Sequence, residues 1–288
     1  MKLQFDCVSA GGSMVWFKGV GFAVCLLLSA CASPIQSTPQ PAPVVLMGEV
    51  HDNPDAHRQR FNLLKQWVEQ GWRPVLVMEQ FDRSTQARLD QAVSQCNTAS
   101  CLTTQPWVEP WEWPLYEPLL QMALDHGLRI VAGNVSRSEA NSIVKGGYAA
   151  ALDSNTISQF KLSQPLPDEL QQAQQQAIEL GHCNMLPAPV AQNMVRAQVA
   201  RDVFMAQRLI EQFDLNQPVV LIAGNGHVQR GLGVPRWLPT SMLAHTVVYG
   251  FVEHAGQQGD GGEFDQTRQV EPHARPDPCE AFKNFQRQ

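Results

Sequence analysis

The stretch VVLMGEVH at residues 44–51 decides the fold of this chain. Four apolar residues lead into a glycine, an acid and an imidazole, which is typical of a buried parallel strand that delivers polar groups to its carboxyl end. The pattern recurs at residues 218–227, where PVVLIA is followed by Gly-Asn-Gly-His, and a third apolar run, VLVM at 75–78, ends in Glu79. The three runs predict one shared crevice. Its candidate polar residues are Glu49, His51, Glu79 and His227.

The apolar runs around these strands predict an α/β domain over residues 44–253, with a mostly parallel central sheet flanked by helices. Further strands are expected at 128–132, which leads to Asn134, and from Thr246 to Val252. A long helical insertion, about 136–214, separates the strand that ends near Ala132 from the strand that ends near Ala223. Residues 254–288 are interpreted as a flexible linker and a tail tethered by a disulfide.

Composition places the chain among ordinary globular proteins. It has 288 residues, of which 44% are hydrophobic and 17% charged, enough for one sizeable α/β domain. The net charge of -6, without a long lysine or arginine cluster, argues against nucleic acid as a partner.

The amino terminus is predicted to be a lipoprotein signal peptide, residues 1–30, followed by a flexible tether at 31–43. Lys18 precedes an apolar run too short to be a permanent membrane helix, and Met14 is an alternative start. The run ends in LSAC, which resembles a lipobox, so Cys31 is the expected lipidation site. Ala32 follows this cysteine. Alanine instead of aspartate directly after the lipidated cysteine is similar to lipoproteins that are sent on to the outer membrane. The expected location is therefore the bacterial outer membrane, lipid-anchored, with the domain facing the periplasm.

The cysteine count agrees with an oxidising compartment. Seven cysteines, less the three within residues 1–31, leave an even number in the mature domain. Three pairings are open, and a zinc site competes with them, although no CxxC occurs. We favour Cys96 with Cys101, and Cys183 with Cys279.

Three tryptophans lie close together in the sequence, at Trp107, Trp111 and Trp113. They could form a flat cofactor-binding surface, but aromatic clusters more often pack a core or an irregular loop. We therefore expect them to pack.

Six short motifs in this order resemble the ChaN family of haem-binding, iron-regulated lipoproteins, whose wider superfamily includes the Tiki metalloproteases and the erythromycin esterases. The resemblance extends over about residues 44–282. The motifs are GEVHD at 48–52, EQFDR at 79–83, YEPL at 116–119, NVSR at 134–137, AQVARD at 197–202 and GNGH at 224–227.

The resemblance implies a haem-binding protein in haem or iron acquisition, a homodimer that encloses haem between subunits, and an outer-membrane haem receptor as a partner. No CxxCH occurs, so haem would bind reversibly, through His, Met or Tyr, and a tyrosinate suits a protein that must hold and release ferric haem. Tyr116 and Tyr249 are expected to be structural, which makes Tyr148 the candidate iron ligand. The expected haem-binding residues are Tyr148, His51, His227 and Asn225.

The alternative function is a metal-dependent hydrolase of esters or peptides. There Glu49, His51, Glu79 and His227 would bind a divalent metal or act as acid and base. Glu49 could instead be ion-paired with Arg83 or Arg137, and His57 could join His51 or be solvated. A structural envelope lipoprotein is the third hypothesis.

Overall fold

A six-stranded sheet lies at the centre of the protein, and each hydrogen-bonded neighbouring pair of strands is parallel. The structure is a computed structural model that describes residues 41–253, 263–277 and 279–280. The strand order is β3-β2-β4-β1-β5-β6, which confirms the predicted α/β class. The strands are β1 Val44–Met47, β2 Val75–Asp82, β3 Ile130–Asn134, β4 Val219–Ile222, β5 Thr246–Val252 and β6 Gln266–Gln269.

Helices cover the sheet. They are α1 Pro54–Glu69, α2 Gln86–Gln95, α3 Ala99–Thr103, α4 Trp113–Asp125, α5 Arg137–Gly146, α6 Ser154–Gln159, α7 Asp168–Gly181, α8 Ala188–Asp214, α9 Asn225–Val228 and α10 Thr240–Leu243. Short 3₁₀ turns lie at Arg83–Thr85, Tyr148–Ala150 and Val234–Trp237.

The central strands are apolar throughout because both faces of the sheet are covered. Successive side chains of a strand point to opposite faces. Val45 and Met47 of β1 therefore join a core cluster with α1 and α4, whereas Val44 and Leu46 join a second cluster with α8. All four β1 side chains are fully buried.

The first helix begins where the sequence predicts. The Asn53 side chain accepts a hydrogen bond from the backbone N–H of Ala56 (2.8 Å), and Pro54 occupies the first helical position. Gly71, with φ +98°, follows the end of α1 and turns the chain toward β2. Glu49 and His51, two of the predicted crevice residues, therefore lie between the end of β1 and the start of α1.

Four helices, α5 to α8, separate β3 from β4, as the sequence predicts. The predicted apolar stripe of α8 is buried and packs on α5 and α7 on one side and on the sheet on the other. The insertion is therefore part of the folded core.

The carboxyl-terminal region differs from the prediction. Residues 266–269, assigned above to the linker and tail, form β6 on the outer side of β5. The tail beyond it is held by more than its cysteine. Arg275 pairs with Asp52 at 2.7 Å and with both carboxylate oxygens of Glu253 at 2.6 and 2.9 Å. The sheet therefore extends past the predicted domain boundary at residue 253.

Both predicted disulfides are present. Cys96 pairs with Cys101, and Cys183 pairs with Cys279. The second bond joins the tail to the connection between α7 and α8.

Three predictions lie outside the described residues: the signal peptide, the lipidation of Cys31 and the linker at 254–262. Nearly all of the tether, residues 31–40, lies outside them as well. Within the part of the chain that the structure describes, no helix combines the length and the apolar character that a membrane span requires.

Candidate functional site

The polar residues predicted to meet at the carboxyl edge of the sheet are delivered there by three adjacent strands. Glu49 and His51 follow β1, and His227 lies in the short α9 that follows β4. Glu79 lies within β2, because that strand continues to Asp82 through a register shift against β3. The strand order places β4 between β1 and β2, so the three positions are neighbours.

Glu49 is the centre of a buried hydrogen-bond network. Its Oε1 accepts from Gln80 Nε2 at 3.2 Å and from the Tyr116 hydroxyl, and it bonds to His51 Nδ1 at 2.8 Å. Its Oε2 is ion-paired with Arg60. The pairing of Glu49 with Arg83 or Arg137 suggested above is wrong, because Arg60 is the cation paired with Glu49, and Arg83 is bound to Glu139 at 2.7 Å.

Arg60 is 1% exposed and lies on the inner face of α1. Burial lowers its pKa to about 10. Its Nη2 donates to Nδ1 of His57 at 3.0 Å, and Nε2 of His57 donates to the backbone carbonyl of His51 at 2.9 Å. Burial lowers the pKa of His57, which suits this neutral role. His57 therefore joins His51 through the backbone and is buried.

His51 is the part of this network that reaches solvent, with 44% of its side chain exposed. Its ring contacts Trp111 edge-on, with a centroid separation of 5.1 Å. Because Glu49 holds Nδ1, Nε2 is the ring nitrogen that remains for a ligand.

A second buried group centres on His227. Its Nδ1 lies 2.5 Å from Asp202 Oδ1, and its Nε2 lies 3.4 Å from Glu79 Oε1. Glu79 also accepts a hydrogen bond from the Gly224 backbone N–H at 2.8 Å. Although burial acts against charge, the two carboxylates raise the pKa of His227 to about 10. His227 in turn holds the pKa of Glu79 well below its usual range.

Gly224 lies where the two networks approach each other. A Cβ atom on this residue would come within 2.8 Å of Nε2 of His51 and 3.8 Å of Oε2 of Glu79. Only glycine leaves room for the imidazole in this position. Gly48 is confined in the same way, because a Cβ there would lie 2.1 Å from Oδ1 of Asn225.

The change Gly224→Ala is expected to displace the His51 ring and break its hydrogen bond to Glu49. The loss of that bond should lower the free energy of unfolding by roughly 1 kcal/mol. The imidazole ¹⁵N NMR signals of His51 report the displacement directly. Gly226→Ala is the matched control, because no atom lies within 4 Å of its added Cβ. Unchanged His51 signals in Gly224→Ala would contradict this account.

A cleft of about 350 Å³ opens beside Glu79. Trp111, Pro110 and Val135 form its apolar surface. The polar residues that line it are Glu79, Asp82, Glu109, Asn134, Arg137 and Arg201.

The predicted metal site is not supported. Glu49, His51, Glu79 and His227 lie close together, but among the described residues no three His, Cys, Asp or Glu side chains are placed to hold a metal ion. The reason is electrostatic. Arg60 is ion-paired with Glu49, and His227 is ion-paired with both Glu79 and Asp202. The four residues form ion-paired couples instead.

Two other predicted site residues lie in different surroundings. The amide of Asn225 is bonded on both sides to the backbone of Phe251, at 2.6 and 3.2 Å, and fixes the turn after β4. Tyr148 lies in the 3₁₀ turn after α5 and packs, half-buried, against the core of the helical insertion.

The expected packing role of the tryptophans agrees with the structure. Trp113 is buried, and Trp107 and Trp111 pack against the same core cluster. Trp111 also lines the cleft, so it both packs against the core and forms part of the cleft surface.

Sequence reasoning missed Arg60 and Asp202. Ala56, Arg60 and Leu64 recur at four-residue spacing on the buried face of α1, and that position could have shown that Arg60 points inward. Asp202 similarly lies next to Val203 in the apolar stripe of α8. A charge within an apolar stripe predicts a buried partner.

The all-parallel sheet and the polar crevice at its carboxyl edge define an α/β protein with a ligand site of the open-sheet kind. The chain belongs to the haem-binding uptake family ChaN of the Tiki superfamily, whose family model matches residues 37–238. The resemblance drawn from the six sequence motifs is therefore confirmed.

One solved structure agrees with the fold. The structure titled "Cofacial heme binding to ChaN of Campylobacter jejuni" has a TM-score of 0.64 and 22% identity, and covers 78% of this chain and 86% of that one. An erythromycin esterase in its open conformation has a TM-score of 0.44 and 11% identity, covering 84% and 79%. No curated protein sequence matches the chain.

Proposed function

We propose that this protein binds haem at the outer membrane, as a lipoprotein whose domain faces the periplasm, and serves in haem or iron acquisition. The single observation that carries the proposal is membership of the haem-binding uptake family over residues 37–238. Cofacial haem binding by the Campylobacter jejuni protein supports it.

Tyr148 fits the role of iron ligand. Gly147, with φ +78°, turns the chain out of α5 and presents Tyr148 at the start of the next turn. The structure gives the Tyr148 hydroxyl no hydrogen bond to any described residue, so its oxygen is available to a ligand. Burial raises its pKa to about 12, and nearby Arg196 counteracts this. Haem bound there would supply a ferric iron, which the phenolate oxygen of Tyr148 would hold.

The other three predicted haem-binding residues, His51, His227 and Asn225, differ in whether they have an atom free to bind haem. His51 has Nε2 to offer, next to the aromatic face of Trp111. His227 does not fit, since both of its ring nitrogens face carboxylates. Asn225 does not fit either, because its amide is bonded to the backbone of Phe251. Tyr148 and His51 are therefore the residues we assign to haem.

The lipid anchor rests on the residues around Cys31. An apolar run followed by LSAC and Ala32 is the pattern of an outer-membrane lipoprotein. Acyl chains on Cys31 would hold the domain firmly, because two or more chains give stable anchoring. Cys31→Ser should move the protein from the membrane fraction to the soluble fraction. A variant that stays with the membrane would remove the anchor from the proposal.

The central experiment is a haemin titration of the domain that begins after Cys31, followed by its Soret absorbance. We expect saturable binding in the wild type and at least about tenfold weaker binding in Tyr148→Phe, which corresponds to about 1.4 kcal/mol. Tyr249→Phe is the matched control, since Tyr249 is also partly buried and loses only a hydroxyl. Sedimentation of the same samples tests whether haem brings two chains together.

The outcomes separate the parts of the proposal. Saturable binding that is equal in all three proteins would transfer the ligand role away from Tyr148 and keep the function. A wild-type domain that shows no saturable Soret change would overturn the haem proposal for this chain.

A further inference from the structure

The cleft beside Glu79 contains two arginines that form no close ion pair or hydrogen bond with a described residue. Arg137 begins α5 and Arg201 lies within α8, and both line the cleft. Neither forms a hydrogen bond or an ion pair within 4 Å with any residue in the described ranges, whereas the neighbouring Arg83 is bound to Glu139 at 2.7 Å. Arg201 does act on Asp82 at longer range, because its charge lowers the pKa of that carboxyl group. Guanidinium groups that line one cleft without a close partner are suited to a carboxylate or phosphate.

A buried amide in the same cleft also lacks a partner. Asn134 is 4% exposed, and its Oδ1 is shielded from solvent without a hydrogen bond to the described part of the chain. An unsatisfied buried polar group costs roughly 1–3 kcal/mol. Because Asn134 lines the cleft at the end of β3, a ligand there could satisfy this amide.

The cleft also carries negative charge. Asp82 is half-buried and Glu109 is exposed, and both face the same space as the arginines. Burial and the proximity of Glu109 raise the pKa of Asp82 to about 6, and the positive charge of Arg201 offsets only part of this rise. Trp111 adds an aromatic face on which a cationic group can rest.

We propose that this cleft binds a small zwitterion of the α-amino acid class, separately from haem. The ligand's carboxylate would lie at Arg137 and Arg201, and its ammonium group at Asp82 and Glu109. The size of the cleft, about 350 Å³, is at the small end of ligand sites. Neither Tyr148 nor His51, the residues assigned to haem, is among the residues that line the cleft, although His51 lies beside Trp111 at its edge.

The test is a thermal-shift screen of the haem-free domain with the standard L-amino acids at millimolar concentration, followed by calorimetry with each amino acid that raises Tm. L-Alanine has two matched probes in the screen: propionate lacks its ammonium group and ethylamine lacks its carboxylate. We expect at least one amino acid to bind saturably, and both probes to bind at least about tenfold more weakly, since each loses a charge-assisted contact.

Variants locate the site. Arg201→Gln and Asp82→Asn should each weaken amino acid binding at least about tenfold while haemin binding persists. Arg236→Gln, an exposed arginine outside the cleft, is the control and should bind as the wild type does. Thermal unfolding confirms that each variant is folded. The proposal is overturned if no amino acid binds, if propionate binds as tightly as the amino acid, or if both cleft variants bind normally.

Discussion

Replacing Arg60 by leucine is expected to lower the free energy of unfolding by about 3–5 kcal/mol, the usual effect of removing one partner from a buried ion pair. Arg60 is the cation paired with the buried Glu49, and both side chains are almost completely shielded from water. Without the guanidinium, Glu49 would keep its hydrogen bonds to Gln80, Tyr116 and His51 but would lose its buried counter-ion. Urea unfolding followed by circular dichroism measures the change.

The control lies on the same helix. Arg58 is ion-paired with Asp55, but 67% of its side chain is exposed, so Arg58→Leu should change stability by less than about 1 kcal/mol. If Arg60→Leu were no more destabilising than Arg58→Leu, Glu49 would not depend on Arg60, and the network around β1 would need another explanation.

The second large effect is on the pH dependence of stability. The pKa of His227 is raised to about 10 in the folded protein because Glu79 and Asp202 flank it. In the unfolded chain its pKa is about 6.5. The folded state therefore holds one more proton between these values, and the stability that His227 contributes is complete below about pH 6.5 and is lost as the pH rises toward 10. The expected slope is about 1.4 kcal/mol per pH unit, or about 3 kcal/mol between about pH 7 and pH 9.

Urea unfolding at a series of pH values in this range measures the slope. His227→Gln should be less stable near neutral pH and should lack the slope. His126→Gln, which removes an exposed histidine after α4, should retain it. A wild-type stability that is flat between these pH values would show that His227 is not held as a cation.

The strands of the sheet differ in how well the sequence predicts them. β1, β4 and β5 are apolar runs buried on most sides, so hydrophobicity alone locates them. β6 has the sequence QTRQ, all four of its residues are exposed, and it pairs through its backbone at the edge of the sheet. A strand that buries no side chain leaves no apolar pattern to detect.

The site shows the same division. Parallel strands bring their carboxyl ends to one edge, so the closeness of Glu49, His51, Glu79 and His227 follows from topology. The positions of their partners Arg60 and Asp202 do not follow from topology. Both residues lie on helices, and packing sets the rotation of those helices against the sheet. The predicted metal site is not supported for this reason: the residue types suit a metal, but local cations and carboxylates neutralise one another.

The contacts that hold the tail limit the order in which the parts of the protein can fold. Asn53, which starts α1, also donates to Glu253 at 2.7 Å and to the backbone carbonyl of Glu271 at 2.8 Å. Asp52 is bound by Arg275. The turn that follows His51 is thus closed by residues that are synthesised 200 to 223 positions later. During synthesis the first strand and helix must wait, with this turn unfinished, until almost the whole chain has emerged.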